Sequence, residues 1–205
     1  MHQEDSAKPS DFEPALGRDV AAILNPAPLT IIGAYDESPS RAGFATVLWA
    51  MPVSHDPAIV AFALRRASHT MGIIVETGCF SLSTLPADAE GARIVDACGK
   101  QTGHKTDKGM LVEHELIALC SATECSETSK LLPVPCHALS WELCEVESIQ
   151  ETGDHLLVTG RVLRAASRAT RDAKGRLAPT ETLLCIQHDA YAAAGCALQS
   201  QNPAS

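Results

Sequence analysis

Two long strand-like segments separated by a few turn residues leave this chain little choice but to build an antiparallel hairpin. HALSWELCEVESIQ (137–150) and HLLVTGRVLRAAS (155–167) flank Thr-Gly-Asp at 152–154. Glycine takes positive φ without penalty, and strands joined this briefly can pair only antiparallel. Other short apolar runs rich in β-branched residues read as strands: PLTIIGAY (28–35), FATVLWAM (44–51), AIVAFAL (58–64), GCFSLSTL (78–85) and ETLLCIQ (181–187). Two helices interrupt them. SHTMGIIVETG (68–78) opens on Ser68 as N-cap and stops at Gly78, and DAEGARIVDACG (88–99) begins with acids and ends at glycine. Irregularly spaced strands around one hairpin, with two helices, predict a mainly β fold: a β-barrel with helical decoration rather than alternating βαβ units.

At 205 residues the chain is long enough for one domain with a proper core. Residues 1–25, polar and broken by Pro9 and Pro14, read as a tail with a helical turn at DVAAIL, residues 26–195 as the folded domain, and residues 196–205 as a second tail. The 25 Asp and Glu against 16 Lys and Arg give a net charge of −9, a surface that repels phosphate backbones; no nucleic-acid partner is expected. No apolar run is long enough for a membrane span, and the amino terminus lacks the pattern of a signal peptide, so the expected location is the cytoplasm. The eight cysteines form no CxxC pair, and several sit in apolar stretches such as TLLCIQ; they are expected to be reduced, buried thiols, with no metal site. No GxGxxG follows a strand, and neither GxxxxGK[ST] nor GxSxG occurs, which argues against dinucleotide-fold, P-loop and serine-hydrolase chemistry.

Four segments in order, PVSHDPAIVAFAL, SHT at the head of a helix, ETGCFSLSTLP and ETGDHLLVTGRV, resemble the flavin reductase-like FMN-binding family, which includes flavoredoxin and the short-chain NAD(P)H:flavin oxidoreductases. The resemblance is collinear from about residue 28 to 191. It implies a split β-barrel in a single domain, a homodimer, and FMN bound beside the dimer interface.

Carried over residue by residue, the resemblance lays the strand Ala45, Thr46, Val47, Leu48 and Trp49 along the isoalloxazine edge, with Gly43 standing where the family often has Asn. It brings the turn of Ser54, His55 and Pro57 to the ribityl chain or ring. Arg66, Ser68, His69 and Thr70, with Arg65, would take the phosphate at a helix amino terminus, where unpaired N–H groups and the positive end of the dipole attract anions. Without the resemblance the same residues describe a capped surface helix. Gly103, Asp107 and Lys108 match the loop usually written SG…DK, with Thr102 in the serine position and Gly109 in place of an aromatic; the lysine could neutralise phosphate or hold the loop by pairing with Asp107. Asp154 would orient His155 toward the cofactor, as an electrostatic and positioning pair. Hydride transfer between stacked rings needs no general base. Tyr191 would be the family's late aromatic.

The expected function is an FMN-binding oxidoreductase that takes electrons from NADH or NADPH and passes them to free flavin, a redox protein or a small-molecule acceptor. Two alternatives stand beside it. One is a flavoredoxin-like carrier reduced by a protein partner, without a nicotinamide site. The other is a split barrel that binds a non-flavin ligand such as haem.

Overall fold

The hairpin forms, and the rest of the sheet grows from it. The computed structural model describes residues 24, 26–37, 40–120, 130–177, 180–187 and 190–193. Strands β9 (Ser140–Thr152) and β10 (His155–Ser167) pair over their whole length, with Thr152 opposite His155 and Gly153 at φ 59° in the turn. Five further strands join them: β2 (Thr30–Glu37), β3 (Ser40–Val47), β4 (Ala50–His55), β5 (Ala58–Arg65) and β6 (Cys79–Thr84). Together they make a seven-stranded antiparallel sheet in the order β3-β2-β6-β9-β10-β5-β4.

FATVLWAM, expected as one strand, is broken at Leu48–Trp49, and the halves are the two opposite edges of this sheet. A two-residue link can join opposite edges only if the sheet curls until they meet. Among the described residues no ladder closes the seam between β3 and β4. The inward face of the curl carries Ile32, Val47, Phe62, Phe80, Leu82 and Val158.

Helix α1 (His69–Thr77) plugs that interior with Met71, Ile73 and Ile74. It begins and ends where the sequence indicates: Ser68 is the extended N-cap, and Gly78, at φ 68°, donates its N–H to the carbonyl of Ile74. Helix α2 (Ala89–Lys100) lies on the other face of β3, with Ile94, Val95 and Cys98 against Ala42 and Phe44. Asp88 caps it by accepting from Gly91 N–H at 2.7 Å. A two-stranded sheet, β7 (His114–Ala118) with β8 (Leu131–Pro135), covers the outer face of β6 and β9, and a three-stranded sheet joins β1 (Ala27–Pro28), β11 (Leu183–Gln187) and β12 (Ala190–Ala193).

β8 does not read as a strand in the sequence because LLPVP carries two prolines, which a short peripheral strand tolerates and a central one does not. The tails, with DVAAIL, lie almost wholly outside the described residues. Among the described residues no helix is long and apolar enough to cross a membrane.

The expectation of reduced thiols needs one correction. Cys79, Cys98, Cys144 and Cys185 are buried and Cys136 is half-buried, none of them in a disulfide. Cys120 is disulfide-bonded, to a partner outside the described residues. Among the described residues no cluster of histidine, cysteine or carboxylate side chains could hold a metal ion.

Candidate functional site

Three elements converge at the Arg65 end of β5: the tip of the β9–β10 hairpin, the start of α1 and the link between β3 and β4. His155 lies opposite Arg65 in the ladder, and Arg66 N–H donates to Asp154 O at 3.2 Å. Trp49, whose carbonyl accepts from Ala63 N–H, faces outward on the same side of the sheet. Its ring centroid lies 5.1 Å from that of His155, tilted by 47°. The ring nitrogen Nδ1 of His155 is 2.7 Å from the Asp154 carboxylate, so Nδ1 carries a proton and Nε2 faces away from the acid. Asp154 is exposed, and the hydrogen bond from His155 holds its carboxyl below the usual aspartate range. Trp49 is 46% exposed, a ring left uncovered beside an oriented imidazole.

On the other side of Arg66 a cleft of about 480 Å³ opens at the start of α1, lined by Arg66, Ser68, His69, Gly72, His104, Asp36 and Glu76. Ser68 occupies the N-cap without capping: its hydroxyl makes no bond to the helix. A Cβ on Gly72 would meet nothing within 4 Å, so the floor is open. The Arg66 guanidinium lies 3.3 Å from both Glu151 Oε2 and Gly153 O, which ties the cleft to the hairpin tip. His69 and His104 meet edge to face at 5.2 Å. Burial, then the charges of Arg41 and His104, push His69 below its ordinary value and favour the neutral ring.

The loop after α2 forms the far wall, and Arg41, which sequence reading overlooked, holds it. The Arg41 guanidinium donates to Gly103 O at 2.7 Å and Thr106 O at 2.9 Å, and its Nε lies 3.7 Å from Asp107. Those partners are more than sixty residues away in sequence, and no local pattern could have announced them. Gly103 is pressed against the histidine: a Cβ there would lie 2.8 Å from His69 Cβ. Lys108 points inward, 7% exposed, donating to Phe44 O at 2.9 Å and to Cys98 O. Burial lowers its pKa, and the same burial pushes the Cys98 thiol up to about 12. Of the two roles read for this lysine, the geometry is that of a loop anchor, though its partners are carbonyls and not Asp107. Asp107 instead accepts from Gly109 N–H at 3.0 Å, capping the short 3₁₀ turn Lys108–Met110. Thr102 is exposed at the loop's beginning.

Other expected residues lie elsewhere. Ala45 and Val47 point into the core, and Thr46 turns to α2, its hydroxyl donating to Val95 O at 2.9 Å. Leu48 packs beside the α2 cluster. Of the five strand residues, Trp49 is the one that faces outward uncovered. Thr70 is 1% exposed, packed beneath β3 at Gly43, where a Cβ would sit 2.8 Å from Ile73 Cδ1 and 3.4 Å from Thr70 Oγ1. That contact explains glycine where the family often has Asn. Ser54, His55 and Pro57 lie at the Ala58 end of β5, an eight-residue strand's length (roughly 25 Å) from His155. Tyr191 is paired with Cys185 on β12, and its side chain lies outside the described residues.

An open aromatic platform with an oriented imidazole, joined through Arg66 to a cleft at a helix amino terminus, sets a flat surface beside unpaired N–H groups and one guanidinium, the groups a flat ring and a phosphate would each need. The fold is shared with solved structures. An FMN-binding protein from Thermus thermophilus superposes with a TM-score of 0.71 at 23% identity, covering 94% of this chain and 96% of that one. Flavoredoxin from Methanosarcina acetivorans gives 0.71 at 20%, covering 88% and 91%. The flavin reductase of the styrene monooxygenase from Pseudomonas putida S12 gives 0.64 at 20%, covering 88% and 99%. Residues 24–195, most of the chain, match the model of the flavin reductase like domain, and the protein belongs to that family.

Proposed function

We propose that this protein is an FMN-dependent oxidoreductase that draws electrons from NADH or NADPH and passes them to a free flavin, a small molecule or a redox protein. The observation that supports the reading is that Arg66, a wall of the cleft with Ser68 and His69, bonds Gly153 and Asp154 at the hairpin tip, beside the Trp49–His155 ring pair. When bound, FMN supplies the redox-active ring. The protein's residues do the rest. Ser68, the first N–H groups of α1 and Arg66 would hold the phosphate. Trp49 offers a surface for the ring or the incoming nicotinamide. Asp154 holds His155 through Nδ1 and so fixes the orientation of the imidazole, which would position and polarise a bound ring.

The curled seven-stranded sheet is read as the family's split barrel. A second copy would cover the outer face of β4 and β5, where the edge strand leaves Met51 and Val53 61% and 48% exposed. The test is the absorption spectrum of the purified protein with FMN added, followed by anaerobic NADH or NADPH. Oxidised-flavin bands that bleach rapidly with either nucleotide support the reading. Bands that bleach only with dithionite or a reduced redox protein turn it into a carrier of the flavoredoxin kind. A protein that ignores FMN removes the flavin.

A further inference from the structure

The small sheet of β7 and β8 has two outer edges, and they are not alike. Leu119 N–H donates to Lys130 O at 2.8 Å, and Cys136 N–H donates to Glu113 O at 2.9 Å. In an antiparallel pair such bonds recur at every second residue, so Glu113, Glu115, Ile117 and Leu119 bond toward β8. His114, Leu116 and Ala118 then turn their N–H and C=O groups outward. On β8 the outward residues are Pro133 and Pro135, opposite Leu116 and His114, and proline has no N–H to offer. Ser81 closes that edge further by donating its hydroxyl to Pro133 O.

The outer edge of β7 lacks this protection. Ala118 O accepts from Arg164, but among the described residues no backbone group meets those of Leu116, whose side chain is 38% exposed. Free N–H and C=O groups along an edge are a template for another strand. The space for one is present. A groove of about 440 Å³ lies beside β7, lined by Trp141 of β9 and by Ala166 and Arg168 at the end of β10. Ile117 shares an apolar cluster with Trp141, and the alternate residues Glu113 and Glu115 line the same groove. Both carboxylates act on Cys136, whose thiol is pushed up by burial and then by these two charges. Among the described residues neither carboxylate has an ion pair or a side-chain hydrogen bond. The cations of the groove are already engaged: Arg164 lies over the Trp141 ring at 5.8 Å, and Arg168 donates to Cys136 O at 2.8 Å. The groove therefore suits an occupant that brings positive charge.

We propose that the free edge of β7 is a docking site for an extended segment of another protein, added antiparallel as a third strand. Residues directly opposite one another share a face, so the segment places a lysine or arginine opposite each of Glu113 and Glu115 and an apolar residue opposite Ile117. Its main chain bonds to Leu116, and its alternate side chains give the specificity. Read from its own amino terminus, the segment has the pattern apolar-x-basic-x-basic. This chain contains no such run, since its one basic pair at that spacing, Lys174 and Arg176, follows Asp172. The segment therefore comes from a different protein.

The test titrates a capped heptapeptide, Thr-Val-Thr-Lys-Thr-Lys-Thr, into the whole protein by calorimetry. Binding is expected, weakening about tenfold in Glu113→Gln/Glu115→Gln, as the loss of two exposed ion pairs implies. It should also weaken as salt is raised and be absent for the peptide with glutamate in place of lysine. Leu116→Pro removes an outward N–H and none of the bonds to β8, and should weaken binding with little change in the urea midpoint. A second measurement leaves the protein untouched. Methylating the amides of the two inner threonines, which face His114 and Leu116, should abolish binding, whereas methylating the lysine amides should not. No binding by the wild type, binding undiminished in Glu113→Gln/Glu115→Gln, or equal effects of the two methylations overturns the proposal. A wild-type mass in light scattering that falls in Leu116→Pro assigns the edge to a second copy and overturns it as well.

Discussion

At its Arg65 end, β5 runs into the hairpin tip, the first turn of α1 and the Trp49 link, all tied by bonds between distant parts of the chain. At its Ala58 end it meets the turn of His55, Asp56 and Pro57, which is exposed and bonded chiefly within its own hairpin. In the sequence both ends carry polar, ligand-like residues. In the structure one end is a built cavity and the other is a hairpin tip. Residue type marks candidates, but a site requires several chain segments to arrive at one place, and one end of this strand is where that happens.

The largest break in this contrast should come from the loop that walls the cleft. Lys108→Met keeps the length of the side chain but leaves Phe44 O and Cys98 O without their charged donor. A loss of about 2 kcal/mol in urea unfolding, with flavin affinity falling together with it, is expected. A neutral or stabilising result would mean that the cost of burying the ammonium had cancelled its bonds. Gly103→Ala forces a methyl group to 2.8 Å from His69 Cβ and should cost a similar amount, about 1–3 kcal/mol.

His155→Ala should leave the unfolding midpoint nearly unchanged and weaken flavin binding or slow its reduction about tenfold, or about 1.4 kcal/mol. Unchanged affinity and rates would remove His155 from the site. Smaller again is the effect of pH. His69 is held below its ordinary value, so the unfolded chain binds its proton more readily than the folded one does. Stability from this residue is therefore complete above about pH 6.5 and declines as pH falls through the lowered value. A nearby phosphate favours the protonated ring, so FMN should tighten relative to riboflavin over the same descent. Parallel pH profiles for the two ligands would place the phosphate elsewhere.

The smallest change belongs to the other end of β5. Ser54→Ala should shift flavin affinity by less than about twofold in the monomeric protein, within the range of surface substitutions. A clear loss that appears only under conditions where the protein is dimeric would show that the turn serves a site across the interface.

The local features were legible in the residues themselves. Ser68 and Gly78 bound α1 because the first favours an extended N-cap and the second a left-handed C-cap, and Gly153 made the hairpin because the turn requires positive φ. Short apolar runs rich in β-branched residues, set off by glycine and proline, identified most of the strands, since that composition is a property of the segment alone. The break at Leu48–Trp49 was not legible: an apolar run looks the same whether it lies along one edge of a sheet or crosses to the other, and only the curl decides. Nor could the sequence say that Lys108 turns inward, that Thr70 is covered while Ser68 is not, or that Arg41 holds a loop sixty residues away. By itself the sequence determined the elements, their ends and the family pattern, because those depend on neighbours within a few residues. Which of the marked residues share a cavity was decided by the tertiary structure, because a cavity depends on where the curled sheet brings separate segments and on which backbone groups each buried charge must satisfy.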